Sequence, residues 1–346
     1  MHPRIFAAPT GALLLLLSAC GSPEPAPPPA PVGEAAAKVP EADPHAGVDH
    51  TDATACASCH AEVVTQWQES MHARAHQDND PVFAGMRALR MKKQGEGVAA
   101  KCATCHNPMA PDAPDSPAGK AGVGCGACHG DGAVADASDG RTVCLHCHDA
   151  TKNPAGEATC TTGPENQDAG GPACTACHMR ATDGTLTHQF LGPHRAYYQD
   201  DPSLLARAVS VDMARDGDQL TLTVANTSGH AFPTGFPGRV AAIRLMAADD
   251  ASGGKPLAAP DELKWFKRYV DEAGKPTLPP FAAKLDLDAR LQAGESRTVT
   301  VALPKGTGPV RAELVYRLMP PPAVKPMGLV GAPEAEPVVV ALKTEG

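Results

Sequence analysis

The sequence predicts an α + β multidomain protein, in which a mostly helical and loop region is followed by an antiparallel β-sandwich. Two observations separate the regions. All 12 cysteines of the 346-residue chain lie at or before Cys177. From about Leu204 the chain changes to short runs of alternating apolar and polar residues, which are typical of strands. Aromatic residues make up only 4% of the chain, so something else must fill the interior of at least one region.

Charge divides the chain in the same way. Residues 21–200 carry 12 Lys or Arg against 22 Asp or Glu, a net charge of −10, whereas residues 201–346 carry 17 of each. An acidic chain does not attract phosphate backbones, so nucleic acid is not an expected partner. Partner proteins with basic faces are expected instead, although acidity also simply keeps an exported protein soluble.

Residues 1–19 have the pattern of a secretory signal peptide. Arg4 supplies the positive start, and the apolar run Leu13–Leu17 is too short to span a membrane. The run ends in Leu17-Ser18-Ala19-Cys20, which resembles the lipobox of bacterial lipoproteins. The resemblance implies lipidation of Cys20 and anchoring in a bacterial membrane that faces the periplasm, with the outer membrane favoured because Gly21 is not aspartate. The alternative is a plain secretory signal with an incidental cysteine.

A Pro- and Ala-rich segment follows the signal. It includes Pro27-Pro28-Pro29 and cannot bury much apolar area, so we expect an extended tether over residues 20–50. The predicted organisation is therefore a signal peptide (1–19), a tether (20–50), a helical and loop domain (51–203) and a β-sandwich domain (204–346).

One short motif, Cys-x-x-Cys-His, occurs five times in the helical and loop domain. The copies are Cys56-Ala-Ser-Cys59-His60, Cys102-Ala-Thr-Cys105-His106, Cys125-Gly-Ala-Cys128-His129, Cys144-Leu-His-Cys147-His148 and Cys174-Thr-Ala-Cys177-His178. This is the pattern of covalent c-type haem attachment, in which both cysteines form thioethers and the histidine binds the iron. A redox pair or half a zinc site is the rival for a single copy, but neither requires the histidine every time.

The sequence therefore predicts five covalently attached c-type haems. Five motifs between His60 and His178 leave no room for a separate domain around each haem. We expect the haems to stack closely and to form the core of this domain, with short helical turns, loops and little strand. Each iron has a sixth position, and its occupant decides between electron transfer and catalysis.

The run after the first motif supplies a candidate for one sixth position. Val63, Val64, Trp67 and Met71 recur at helical spacing, so we expect an amphipathic helix. The segment resembles the cytochrome c-554-like multihaem family, with its Trp-x-x-Ser-x-His-x-x-Ala pattern after the first haem. The resemblance implies that His72 is an axial ligand.

Further segments carry the resemblance as far as about Gly235. Gly122 to Gly130 looks like the family's third-motif region, and the final motif with the following His188-Gln-Phe190-Leu-Gly192-Pro193-His194 resembles its last haem and tail. This implies that His188 and His194 are ligands. The segment Gly229-His230-Ala-Phe232-Pro233-Thr234-Gly235 resembles a Gly-His-x-x-Pro-Thr-Gly motif of related cytochromes, which implies that His230 reaches back to a haem.

Five motifs and an added domain depart from the family's four-haem pattern, so the pairing of ligands with haems stays open. His50, His76 and His146 compete for the fifth distal position, which is otherwise empty. A solvated side chain is the expectation for His76. Met71 and Met109 are weaker candidates, and Cys160 receives no role.

Six strands are expected in the second domain, with a hairpin turn at Asp216-Gly217. They are Arg207 to Met213, Gln219 to Ala225, Arg239 to Met246, Lys264 to Val270, Arg297 to Leu303 and Arg311 to Leu318. Their spacing favours an antiparallel sandwich. We expect this domain to brace the haem region, to contribute His230 and to keep Trp265, Phe266 and Tyr269 in its core.

The first functional hypothesis is an electron carrier of a respiratory or extracellular electron-transfer chain, with redox proteins as partners. The alternative is an oxidoreductase that acts on a small nitrogen or sulfur compound at a five-coordinate haem. A lipoprotein that uses haems only for structure is a third reading. The fifth distal position discriminates the first two hypotheses, and the oligomeric state is open.

Overall fold

The computed structural model describes residues 45, 47–129, 140–247 and 255–345. The predicted signal peptide, Cys20 and most of the predicted tether lie outside the described residues. The described residues from Val48 onward belong to one compact unit. The boundary between domains near residue 203 stays a sequence-based prediction.

Short helices and loops make up the first part of the described chain. The helices are α1 (Ala57–Gln68), α2 (Pro81–Gln94), α3 (Val98–His106), α4 (Pro117–Lys120), α5 (Gly126–His129), α6 (Thr142–His148), α7 (Thr162–Asp168), α8 (Thr175–His178), α9 (Arg195–Tyr198), α10 (Ser203–Ala208) and, later, α11 (Pro321–Val324). The only strands described before α10 are the two-residue β1 (Ala181–Thr182) and β2 (Thr185–Leu186), as expected for this region.

Helix α2 shows how local sequence sets these elements. The Asp80 side chain accepts hydrogen bonds from the backbone N–H groups of Val82 (2.9 Å) and Phe83 (3.0 Å), and Pro81 occupies the first helical position. Both features favour a helix start. The helix ends at Gly95, whose φ of 86° only glycine adopts easily.

The predicted amphipathic helix after the first motif is present but shorter than expected. Val64 and Trp67 are buried, whereas Met71 lies beyond the helix end at Gln68. The chain is not helical at His60 (φ −119°, ψ 43°), which separates the motif turn from the rest of α1. The Trp67 indole donates to the carbonyl of Val123 at 2.8 Å, so this helix packs against the loop before the third motif.

The second part of the chain is built from antiparallel strands. They are β3 (Val209–Asp216), β4 (Gln219–Asn226), β5 (Val240–Ala247), β6 (Lys255–Leu257), β7 (Lys264–Trp265), β8 (Lys267–Val270), β9 (Pro276–Thr277), β10 (Lys284–Asp288), β11 (Ser296–Ala302), β12 (Val310–Arg317) and β13 (Val338–Glu345). One sheet has the order β11-β4-β3, another β13-β12-β5-β6 with β7 also paired to β5, and a third β10-β8-β9.

All six predicted strands are present, and four of them agree with the prediction within one residue at each end. The first predicted strand begins at Val209 rather than Arg207, because Ser203–Ala208 forms α10. The strand predicted over Lys264 to Val270 is split into β7 and β8 at Phe266. Strands β6, β9, β10 and β13 were not predicted. The β3–β4 hairpin turns at Gly217, whose φ is 57°.

Side chains from two of the sheets share one buried cluster. Leu220 and Leu222 of β4 belong to it together with Ile243 of β5 and Leu314 of β12. Trp265 and Tyr269 are buried, as expected, whereas Phe266 is partly exposed. The same cluster also includes Val82 and Met86 of α2, so a helix of the first part packs on the strands.

None of the helices in the described ranges is long and apolar enough to cross a membrane.

Candidate haem-binding sites

Each Cys-x-x-Cys-His motif lies on one short helical turn. The backbone N–H of the motif histidine bonds to the carbonyl of the first motif cysteine in the first (2.9 Å), third (2.9 Å) and fifth (3.0 Å) motifs. This bond closes a single turn, so both sulfurs and the imidazole lie on neighbouring positions of one helix end. Gly126, inside the third motif, allows the close approach of the His50 carbonyl, which would lie 2.4 Å from an added Cβ.

The motifs are arranged in neighbouring pairs. The Sγ atoms of Cys56 and Cys125 contact each other, which joins the first motif to the third. Those of Cys105 and Cys147 do the same for the second and fourth motifs. All 11 cysteines in the described residues are free of disulfides. The motif thiols correspond to the thioether sulfurs of attached haems, so attachment points of haems two motifs apart along the chain lie close together.

Three motif histidines face a second histidine at nearly the same separation. The ring centroids are 6.3 Å apart for His148 and His72, 6.3 Å for His129 and His188, and 6.4 Å for His178 and His230. In each pair one partner comes from a motif and the other from a segment that the sequence predicted to supply a distal ligand. The structure thus brings three of the four predicted distal histidines to motif histidines.

This separation fits an iron between the two rings. A histidine nitrogen binds a transition metal at about 2 Å and its ring centre lies about 1 Å further back, so two axial ligands have ring centres about 6 Å apart. Direct stacking of two rings would require a much shorter distance. The residues present therefore fit haems held from both sides.

Burial lowers the pKa of several of these imidazoles and so favours the neutral form that binds a metal. Burial, with a smaller effect of the neighbouring His148 and His178, lowers the pKa of His72 to about 3. Burial is also the largest cause that lowers the pKa values of His148 and His230. The ring nitrogen of His72 is therefore available for metal binding well below neutral pH.

Backbone carbonyls orient several of the rings. The Nδ1–H of His106 donates to the carbonyl of Ala75 (3.0 Å), that of His178 to Leu191 and that of His230 to Ala231 (3.0 Å). A histidine whose Nδ1 is used in this way presents Nε2 to a metal, and such outer hydrogen bonds fix the ring orientation. The sequence does not reveal these carbonyls, because they come from distant or non-motif positions.

Phe190, in the tail between His188 and His194, packs on two of the predicted distal ligands. Its ring centroid lies 4.2 Å from that of His72 and 5.8 Å from that of His188. The backbone of Phe190 is left-handed (φ 45°), which is uncommon for a residue of this size. The tail thus places the Phe190 ring against one ligand candidate of its own, His188, and against His72 from the segment after the first motif.

His194 is partly buried but makes no ring contact with another histidine of the described residues. Burial, assisted by the positive charge of Arg239, lowers the pKa of His194 to about 3. His106 likewise contacts no histidine ring there. Its ring instead stacks on Phe83, with centroids 3.6 Å apart and planes within 4° of parallel. The partner expected for His194 is therefore not identified by ring geometry.

The three competitors for the fifth position differ in exposure. The expectation of a solvated His76 is wrong, because this side chain is only 1% exposed. The turn that follows buries it: His76 Nδ1 accepts the backbone N–H of Asp78 (3.2 Å), while Nε2 has no partner. His50 is partly exposed and His146 is exposed. Cys160 lies 3.7 Å from the Thr162 hydroxyl.

The loop that carries His230 is held from both parts of the chain. The Asn226 side-chain amide donates to the carbonyl of His230 (2.8 Å) and to that of Leu291 (3.1 Å). On the other side the Thr234 hydroxyl donates to Glu165 Oε2 (2.6 Å) and the N–H of Gly235 donates to Thr162 Oγ1 (3.1 Å). His230 is therefore on a rigid loop, as its sequence context indicates.

Glu165, on α7, forms a buried ion pair with Arg290 that the sequence did not indicate. Arg290 Nη1 lies 2.7 Å from Glu165 Oε1, and Arg290 Nη2 lies 2.7 Å from Asp288 Oδ2. The Arg290 side chain is only 7% exposed. Arg290 also donates to the carbonyl of Pro233 (3.3 Å), so this network supports the loop of His230.

Comparison with known proteins places the chain among c-type cytochromes. The family model for cytochrome c554 and c-prime matches residues 55–130, and the cytochrome c3 model matches residues 118–187. These segments contain all five motifs. No curated protein matches the chain.

One solved structure is similar over most of the chain. It is the penta-heme cytochrome c552 from Thermochromatium tepidum, with 25% sequence identity and a TM-score of 0.68. The similarity covers 84% of this chain and 97% of that one. The likeness therefore extends beyond the segments of the two family models. With one attachment motif for each of five c-type haems and matches to two cytochrome c families, the chain is a multihaem c-type cytochrome.

Proposed function

We propose that the chain is an electron carrier whose five haems relay electrons in a respiratory or extracellular electron-transfer chain. The observation that carries the proposal is the set of three histidine pairs with ring centroids 6.3 to 6.4 Å apart. Two histidines fill both axial positions of an iron, so no open position remains there for a substrate. Electrons are then the only cargo of those haems.

In this proposal the motif histidines are proximal ligands, and His72, His188 and His230 are distal ligands to His148, His129 and His178. His194 remains a fourth candidate without an assigned haem. When bound, haem supplies reversible one-electron chemistry at its iron. The polypeptide holds several ligand rings through carbonyl contacts, lowers the pKa of several of them by burial and brings two pairs of motifs into contact through their cysteines.

The β region serves as a brace in this proposal. Its strands form a sandwich around their own apolar core and present the loop of His230 to the fifth motif. The acidic charge of residues 21–200 favours redox partners with basic faces.

The proposal is tested first on the oxidised whole protein. Pyridine haemochrome analysis should give five haems per chain, and electron paramagnetic resonance should give low-spin signals for at least the three haems with paired histidines. A high-spin signal from most of the haems would contradict the proposal.

Replacing His230 by Ala isolates one pair. We expect all five haems to stay attached, because the thioethers remain, while one low-spin signal is replaced by a high-spin one. Thr227, which is exposed on the same loop, is the matched control when replaced by Ala and should leave the spectrum unchanged. An unchanged spectrum in the His230→Ala variant would remove His230 from the ligand set.

A second candidate function is an oxidoreductase that acts on a small nitrogen or sulfur compound. It is favoured by His106, whose ring stacks on Phe83 rather than facing another described histidine. A cavity of about 300 Å³ lies beside the helix of this motif and is lined in part by Phe83, Ala103 and the buried His76. One high-spin haem that binds nitrite or hydroxylamine would favour this candidate.

We also propose that the chain is exported and anchored by lipid on Cys20 in a membrane facing the periplasm, the outer membrane by preference. The lipobox-like Leu17-Ser18-Ala19-Cys20 and the tether support this. Cells given labelled palmitate should yield a labelled membrane protein, and the Cys20→Ala variant should yield an unlabelled one. Equal label in both would contradict the proposal.

A further inference from the structure

Arg239, the residue before β5, lies where three of the candidate iron ligands come together. Its positive charge lowers the pKa values of His148, His194 and His230, in each case after the larger effect of burial. These histidines come from the fourth motif, the tail and the β-region loop. A single cation therefore acts on ligand candidates from separate segments.

The guanidinium of Arg239 is held firmly on one side. Its Nη1 donates to the carbonyl of Thr234 at 2.7 Å. Arg239 is also hydrogen bonded to the hydroxyl of the fully buried Tyr316. Gly235, with φ 83°, makes room for it, since an added Cβ would lie 2.6 Å from Nη1. The backbone turn after Pro233 is shaped around this side chain.

The other side of the guanidinium lacks a counter-charge. Its Nε–H is buried and has no hydrogen-bond partner. None of the ion pairs found within the described residues involves Arg239. A buried donor without a partner is costly. An anion bound beside Nε would supply both the missing acceptor and a counter-charge.

Each haem brings two propionate carboxylates, and arginine binds carboxylates through paired N–H groups. We propose that Arg239 binds a propionate of a haem held by the ligand pairs that surround it, and that its charge raises the reduction potential of that haem. The inference rests on the proposed function, because it needs haems between the histidine pairs. A cation beside a haem favours the reduced state, which carries one positive charge less.

Arg239→Gln is the direct test, with Arg215→Gln as the matched control. Arg215 also donates to backbone carbonyls, those of Gly217, Thr307 and Gly308, but it sits on the β3 hairpin. Spectroelectrochemical titration of the whole holoprotein should show a lower midpoint potential for at least one haem in Arg239→Gln, and unchanged potentials in Arg215→Gln.

A second readout separates propionate binding from support of the fold. Beside Arg239 the propionate stays ionised at neutral pH, so the potentials should depend little on pH there. Without the arginine its pKa rises, and we expect the midpoint potential of the affected haem to become pH-dependent near neutrality. A purely structural role of Arg239 would not produce this dependence.

Arg239→Lys keeps the positive charge but loses the paired N–H donors of the guanidinium. It is the variant to use if Arg239→Gln cannot be obtained with five haems. We expect a smaller fall in potential and a shifted pH dependence. Potentials and pH dependence equal to those of the wild type, in variants with five haems and unchanged low-spin signals, would overturn the inference and leave the proposed function standing. Fewer than five haems or missing low-spin signals in the wild type would instead overturn the proposed function.

Discussion

The haem region and the β region differ in what fills their interior. The β region buries large apolar side chains completely, among them Leu220, Leu222 and Trp265. In the described part of the haem region few side chains are fully buried, and the motif cysteines are half-buried or exposed. Apolar burial stabilises the β region, whereas we expect attached haems to fill the space between the short helices of the haem region. The same chain would then contain one core made of side chains and one made of cofactor.

The largest expected effect comes from removing a haem. With Cys144 and Cys147 both replaced by Ala, we expect one haem fewer by pyridine haemochrome and rapid proteolysis near α6, because nothing else fills that space. The β region should stay protected. Cys160→Ala removes a cysteine outside the motifs and should leave five haems. Equal protease resistance of the double variant and the wild type would break the comparison.

The next effect concerns the side-chain core. Leu222→Ala should lower the free energy of unfolding by about 2 to 5 kcal/mol, since it empties a fully buried site in β4. The haem content and the low-spin signals should not change. The control is Leu342→Ala on β13, whose side chain is 53% exposed and should cost little. Chemical denaturation followed by circular dichroism measures both; equal costs would contradict the assignment of the core.

A smaller, pH-dependent effect is expected at the joint between the regions, the ion pair of Glu165 on α7 with Arg290 after β10. Burial alone would raise the pKa of Glu165, but Arg290 and hydrogen bonds from Thr161 and Thr234 outweigh it and lower the pKa. The stabilisation is therefore present above the ordinary value of 4.5 and is lost as the pH falls through the folded-state pKa.

Glu165→Gln should accordingly cost about 1 to 3 kcal/mol at pH 7 and progressively less in acid. Urea unfolding of both proteins at several pH values measures the difference. A cost that is independent of pH would show that the ionised carboxylate is not what stabilises the joint.

The smallest effect is expected at the surface. Lys264 and Asp261 form an ion pair at 2.7 Å, but Asp261 is 90% exposed. Solvent and salt screen such a pair, so Lys264→Ala should unfold at the same denaturant concentration as the wild type. A clear loss of stability would show that exposed charges stabilise the β region alongside its apolar core.

The sequence was informative where function follows from spacing along the chain. Cys174, Cys177 and His178 are recognisable because haem attachment needs them on one turn, and β4 is recognisable because one of its faces is buried. Contacts between residues that lie far apart along the chain could not be predicted from the sequence. His76 has the pattern of a solvated helical residue, yet a turn stabilised by its own Nδ1 buries it. Arg239 lies in no motif that specifies a ligand, and only the fold brings it to the histidines.

The position of His230 has a consequence for biosynthesis. His178 belongs to the last attachment motif, whereas His230 lies on a loop that the Glu165–Arg290 network supports. Attachment at the fifth motif needs only the residues of its own turn, so we expect that haem to be attached before its distal ligand is in place. The change of this haem from high spin to low spin would then report that the C-terminal region has folded. The spectrum of this haem would therefore follow the maturation of the protein.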